Sequence, residues 1–181
     1  RMMGYVDVDT ARDMFDKVKK TDLYDKKLAM YKTSASIEGC SMENGRCRAF
    51  TPGWQERENV FLHMEYKYIL SMIRAGICPE FYDTITRALI PFLDPNMYGR
   101  STLENSSFIA SSVNPNPDIH GRGFVARLSG STTEMLSIWI EMFMGGKVFT
   151  YEDGKLVLNF TPKLANWLFD EGKATFRLLS T

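Results

Sequence analysis

The chain has 181 residues, of which 44% are hydrophobic and 13% aromatic, which is enough for one domain with a real core. Its 22 basic residues balance its 22 acidic ones, so charge makes no case for nucleic acid or an anionic membrane surface as a partner. No apolar run reaches the length of a membrane span, and Cys40, Cys47 and Cys78, without metal-ligand spacing, read as reduced thiols that point to the cytoplasm.

In chain order, Val8, Ala11, Met14, Phe15 and Val18 recur at helical spacing, which predicts a helix to Lys20 capped by Asp9 or Thr10. Leu28 to Phe50 is polar and irregular and reads as a long loop, a feature that is usually functional or disordered. Trp54 to Gly76 is the strongest predicted helix, apolar around nearly its whole circumference and stopped by Gly76. A helix apolar all round is expected to be buried on every side. Pro79 opens a further helix that ends near Leu89, before Pro91. Residues 91 to 130 read as loop, and Ser131 to Met144 as another nearly all-apolar helix closed by Gly145 and Gly146. The period then changes to two: "KVFTY", the turn "EDGK" and "LVLNF" predict a hairpin, and Thr175 to Leu179 a last strand. The two apolar helices cannot bury one another completely, so neighbours that this chain does not supply are expected. The opening Arg1 in place of a methionine fits either a piece of a longer protein or ordinary processing.

Two places in this order carry candidate chemistry. Ser131 with Glu134 three residues on has the form of a capping box, in which each side chain satisfies an amide at the helix start. The other reading of "SGSTT" is a cradle in which Ser129, Ser131, Thr132 and the amides of a helix N-terminus hold a phosphate, with Arg122 and Arg127 adding charge. His63, within "RENVFLHMEYKYILSM", is either a satisfied core histidine or a ligand-binding one. No second histidine or cysteine at a matching spacing makes it a metal ligand, so no metal is expected. Glu58, five residues earlier, falls near the start of the same predicted helix, where it either reaches a ligand or merely favours the helix dipole. His120 falls in a loop.

The order of these pieces resembles the inverting glycoside phosphorylases of the cellobiose phosphorylase family (glycoside hydrolase family ninety-four). That family has a Glu-Asn-Gly-x-Ile-Phe-x-His segment, to which "ENVFLH" from Glu58 to His63 is similar. It has a Thr-Gly-Thr-Ala segment opening a late helix, matched by "SGST" from Ser129 to Thr132, and an Asp-Gly-Leu-x-Ile-x-Pro strand, matched within "EDGKLVLNFTP". Val60 stands where the family has glycine, serines replace both threonines, and Glu134 and Met135 occupy the place of an aromatic. These departures look more like the branch of larger oligoglucan phosphorylases.

The resemblance implies a mainly α fold with a β-rich C-terminal end: the late helices of an (α/α)6 barrel over residues 1–146, then the start of a β-region over residues 147–181. It implies phosphorolysis of a β-linked glucoside, of the cellobiose or oligoglucan type, by inorganic phosphate as co-substrate, giving α-glucose 1-phosphate. No other cofactor is expected. His63, Ser129 and Ser131 would bind phosphate and Glu58 substrate. The family's general acid, an aspartate in an Asp-Trp-Asn-Asp motif, has no counterpart here and is expected upstream, so the chain alone is expected to be inactive and to need the rest of the catalytic domain. A homodimer is a further partner to consider. A non-catalytic helical carbohydrate-binding or interaction module, and a glycoside hydrolase on the same barrel, stay open as alternatives.

Overall fold

The computed structural model describes residues 6–125 and 129–169. Two compact units divide the chain, one running to Ile138 and the other beginning at Trp139.

In the first unit, helix α1 (Val8–Lys19) starts at Asp7, whose Oδ1 accepts the Thr10 N–H at 2.8 Å. The cap therefore lies two residues before the earliest expected candidate. Strands β1 (Tyr24–Asp25) and β2 (Met30–Tyr31) form a short hairpin whose second strand falls at the start of the predicted loop region. Asp25 anchors it: buried at 3% exposure, it accepts the Ser112 N–H at 2.6 Å and the Ser112 hydroxyl at 2.7 Å. A 3-10 segment over Met42–Ala49, kinked at Gly45, occupies the rest of that region.

The expected helix from Trp54 begins late. Trp54 and Arg57 pair across a tight turn, and Gln55 and Glu58 have φ of 51° and 53°, which an α-helix excludes. The chain then enters strand β3 (Val60–Phe61) and passes without a break into helix α2 (Leu62–Ala75). Strand β4 (Phe108–Ile109) pairs with β3 on one side and with β5 (Gly123–Phe124) on the other, all antiparallel. On one face of this sheet the rings of Phe108 and Phe124 stack at 5.6 Å, with Trp54 at 5.0 and 4.5 Å from them. β-branched and aromatic residues at the strand positions suit this half-buried sheet better than a helix.

Helix α2 ends in the left-handed Gly76, and helix α3 (Cys78–Ala88) follows with Pro79 in its first turn. Leu62, Tyr66, Ile69 and Ile73 of α2 meet a core that includes Phe81 and Ile85 of α3, all fully buried. The one-turn helix α4 (Pro95–Tyr98) adds Tyr98 to that core. Helix α5 (Ser129–Phe143) begins two residues earlier than expected.

In the second unit, β6 (Phe149–Glu152) and β7 (Lys155–Leu158) form the expected hairpin, with Asp153 and Gly154 at φ of 48° and 79°. Two successive positive φ values match the right-handed twist of a two-residue hairpin turn. The last expected strand, Thr175 to Leu179, lies outside the described residues, as does Arg127.

These findings overturn the expected (α/α)6 barrel. Helical segments take up 45% of the structure, and three small antiparallel sheets accompany them, so this is not a barrel of helices. Two physical causes stand out. The residues ahead of His63 form a turn and a strand instead of two further helical turns, and the supposed loops 91–130 supply β4, which pairs with that strand, and β5, which pairs with β4. Nor is α5 covered on every side, since Leu136, Trp139 and Ile140 are 61%, 44% and 48% exposed. Among the described residues no helix is long and apolar enough to cross a membrane.

Glu65 is a buried carboxyl on α2 that accepts the Tyr31 N–H of β2 at 2.9 and 3.2 Å through its two oxygens. Burial pushes it up from 4.5 to about 8. The folded chain thus keeps a proton that the unfolded chain releases, and stability contributed through this group falls as pH rises from about 4.5 to about 8. The predicted outcome is that wild type loses stability relative to Glu65→Gln across that window, by up to about 1.4 kcal/mol per pH unit. Urea denaturation of both proteins at several pH values checks this, and a constant difference would show that Glu65 does not titrate there.

Candidate functional site

Helix α2 begins with no side-chain cap. Instead the Leu62 N–H donates to the Ser107 carbonyl at 3.1 Å, so the end of the β3–β4 pairing satisfies the first amide of the helix. His63 is consequently the second residue of α2, at the rim of the core and not in its middle, with a side chain 33% exposed.

There it meets the first turn of α5. A Cβ on Gly130 would lie 2.8 Å from His63 Nδ1 and 3.1 Å from its Cε1, so only a glycine lets the ring seat this closely. His63 Nε2 faces the Glu134 carboxylate at 3.4 Å. Gly130 and Glu134 are four residues apart, hence on one face of α5, and together they clasp the imidazole. Residues from the two candidate motifs, His63 and the "SGSTTE" segment, thus share one corner of the first unit.

The capping box is not formed as expected. Ser131 is the third residue of α5, not the residue before it, and is fully buried, while Glu134 turns to His63. Ser129 opens the helix. Thr132, beside Ser131, is exposed and accepts a hydrogen bond from Asn105 Nδ2 at 3.3 Å. Asn105 Oδ1 accepts from the Tyr66 hydroxyl at 2.9 Å, which in turn accepts the Ile90 N–H at 3.3 Å. Burial pushes the Tyr66 phenol far up, so it remains a hydrogen-bond donor throughout. A polar chain Thr132–Asn105–Tyr66–Ile90 therefore runs beside the His63 clasp. The sequence reading did not find Tyr66, Asn105 or Gly130. Tyr66 was discoverable, being three residues after His63 and so on the same helical face. Asn105 lies in a turn, where spacing carries no information.

Glu58 is not part of this corner. It lies before β3, and its buried carboxylate sits 3.9 Å from Lys32 Nζ and 3.6 Å from Arg57 Nε. Its backbone is pinned as well, the N–H donating to Ser34 Oγ at 3.2 Å and the carbonyl accepting from Ser111 Oγ. Lys32 also reaches Asp22 at 3.2 Å, and Arg57 donates to the Arg48 and Phe50 carbonyls and pairs with Glu38. This network ties the 33–50 segment to the core. Glu58→Gln weakens two buried ion pairs whose cations keep Asp22 and Glu38, and should cost about 1–3 kcal/mol, measurable by urea denaturation.

His120, also singled out from the sequence, is held by its neighbours, with Nε2 2.8 Å from the Asn114 carbonyl and Nδ1 2.9 Å from Lys27 Nζ. The ammonium can only donate, which makes Nδ1 the acceptor and places the proton on Nε2. Arg122 is exposed, its side chain against Gly99. Cys40, Cys47 and Cys78 are free thiols, and among the described residues no three His, Cys, Asp or Glu side chains gather as a metal site.

The clasp makes a measurable claim. Glycine to alanine inside a helix ordinarily stabilises by about 1 kcal/mol. At position 130 the added methyl must displace His63, so Gly130→Ala should show little or none of that gain. In a His63→Ala background the gain should return. A double-mutant cycle by thermal or urea denaturation reads the coupling, and equal effects in both backgrounds would show that the ring does not rest on Gly130.

Neither a protein-family model nor a curated protein matches the sequence.

Proposed function

We propose that this chain supplies the phosphate-holding corner of an inverting glycoside phosphorylase acting on a β-linked glucoside of the cellobiose or oligoglucan type. In that reaction a phosphate oxygen attacks the anomeric carbon, the bond to the leaving oxygen breaks, and a carboxylic acid elsewhere in the catalytic domain protonates that oxygen. The products are α-glucose 1-phosphate and the shortened sugar. Phosphate needs no base to activate it, so the protein's task is to hold its charge beside the sugar.

The observation that carries the proposal is the meeting of His63 with Gly130 in the first turn of α5. Amides in the first turn of a helix point along the axis with no carbonyl inside the helix to accept them. They carry the positive end of the helix dipole, which attracts phosphate. The His63 ring stands beside that turn with Glu134 opposite Nε2, and as an imidazolium it would offer its Nδ1–H as a further donor to the phosphate. Ser129 and Ser131 take part as members of this turn, and the exposed Thr132 hydroxyl stands next to them. Inorganic phosphate is the co-substrate, with no other cofactor. The free cysteines support a reducing compartment such as the cytoplasm.

An interaction module is the second reading. It is favoured by the hairpin of the second unit, where Phe149, Tyr151, Leu156 and Leu158 share one face and are 53–75% exposed. The same surface suits the remainder of a catalytic domain or a second copy in a homodimer.

Phosphate titration by calorimetry separates these readings. Wild type is expected to bind inorganic phosphate, His63→Ala to bind it at least ten-fold more weakly, and His120→Ala to match wild type. Phosphate affinity unchanged by His63→Ala would return His63 to a structural role. Phosphate-dependent release of α-glucose 1-phosphate from a β-glucoside by the intact catalytic protein tests the reaction itself, and release of glucose without phosphate would identify a hydrolase.

A further inference from the structure

A separate pocket lies on the other side of α2. Glu65 is two residues beyond His63, about 200° around the helix, and helps line a cavity of about 400 Å³ with Val18, Leu23, Tyr31, Met64 and Tyr68. That volume suits a small organic molecule. The walls are aliphatic and aromatic, and Tyr31 meets Tyr68 edge to face at 4.5 Å.

The floor holds the unusual feature. Glu65 is 2% exposed, and its described partner is one backbone N–H, that of Tyr31, shared by both oxygens at 2.9 and 3.2 Å. A carboxylate can accept about four hydrogen bonds. Lys32 lines the same pocket, but its ammonium is taken by Asp22 at 3.2 Å and Glu58 at 3.9 Å. Among the described residues no cation lies within ion-pair distance of Glu65. Its own state is set by burial and the Tyr31 N–H, and the phenols near it, those of Tyr24, Tyr31, Tyr66 and Tyr68, are raised chiefly by burial and stay neutral. A carboxyl in such surroundings either keeps its proton or ionises against a cation brought to it.

We propose that this pocket binds a small organic ammonium ion, its charged head on the Glu65 carboxylate and its apolar body between Tyr31, Tyr68 and Met64. A charge-assisted hydrogen bond out of water supplies the specificity for an amine, and ring faces favour a cation beside them. The balance of protons follows from the geometry. At neutral pH the free site holds a protonated carboxyl, the ligand arrives as an ammonium and keeps its protons, and Glu65 releases one proton to solvent. This site is independent of the phosphate corner, which lies on another face of α2.

Benzylamine and its neutral analogue benzyl alcohol are the probes, titrated into the 181-residue chain by calorimetry at pH 7 in two buffers of different ionisation enthalpy. Benzylamine is expected to bind with release of up to one proton. Glu65→Gln keeps the acceptor for the Tyr31 N–H and is expected to bind benzylamine at least ten-fold more weakly, with no proton released. Met64→Lys changes a rim residue that is 57% exposed, so it should fold normally and weaken benzylamine binding by adding a like charge. Benzyl alcohol is expected to bind more weakly than benzylamine and to lose less affinity than benzylamine on Met64→Lys, since it loses only the apolar contact. No benzylamine binding by wild type, equal affinity for the alcohol, or unchanged benzylamine binding in both variants would overturn the proposal.

Discussion

The positions of His63 and Glu65 depend on how helix α2 begins. A helix start needs acceptors for its amides, and here no capping side chain provides one. The three-stranded sheet does so, because pairing of Val60 with Ile109 and of Phe61 with Phe108 brings the Ser107 carbonyl onto the Leu62 amide. The junction sets the phase of the whole helix. It places Leu62, Tyr66, Ile69 and Ile73 in the core, His63 at the rim beside α5, and Glu65 toward β2. A shift of one residue would rotate the helix by about 100° and exchange these roles. Gly123 protects the same arrangement from the other side of the sheet, since a Cβ there would come within 2.7 Å of Ser106 Oγ and would meet the Tyr98 ring.

Polar groups, more than apolar contacts, tie the irregular segments to this frame. Asp25 holds the β1–β2 turn to Ser112, Glu58 and Arg57 hold the 33–50 segment, and Tyr66 joins Asn105 to Ile90. Asp25 and Tyr66 are buried groups with hydrogen-bond partners far away in sequence, which is the condition for burying them at moderate cost. Glu65 departs from that pattern, having a single amide donor and no cation, and this is what distinguishes its pocket from the satisfied networks around it.

What could be read from the sequence follows from where the information is local. Helical periodicity located α1, the body of α2, α3 and α5, and the Asp153-Gly154 pair located the last hairpin. The two-residue strands were not legible, because pairs such as Phe108-Ile109 or Gly123-Phe124 are too short for a period and become strands only through partners dozens of residues away. Missing them turned residues 54–61 into a helix, and the barrel that the family resemblance implied went uncorrected. At the candidate site, His63 and the Ser129–Glu134 segment were each legible as motifs, although their meeting rests on tertiary packing. The capping pattern of Ser131 and Glu134 was misread for the same reason, since His63 recruits Glu134. Glu58 looked like a helix-start residue, but the left-handed turns at Gln55 and Glu58 are adopted by residues whose type does not announce them.

The central claim is that the corner between His63 and the first turn of α5 holds a phosphate. Backbone amide chemical shifts followed by NMR during titration with inorganic phosphate, against chloride at matched ionic strength, test it most directly. The account predicts saturable shifts centred on Ser129 to Thr132 and on His63, lost in His63→Ala. Shifts centred elsewhere, or none beyond those caused by chloride, would contradict it.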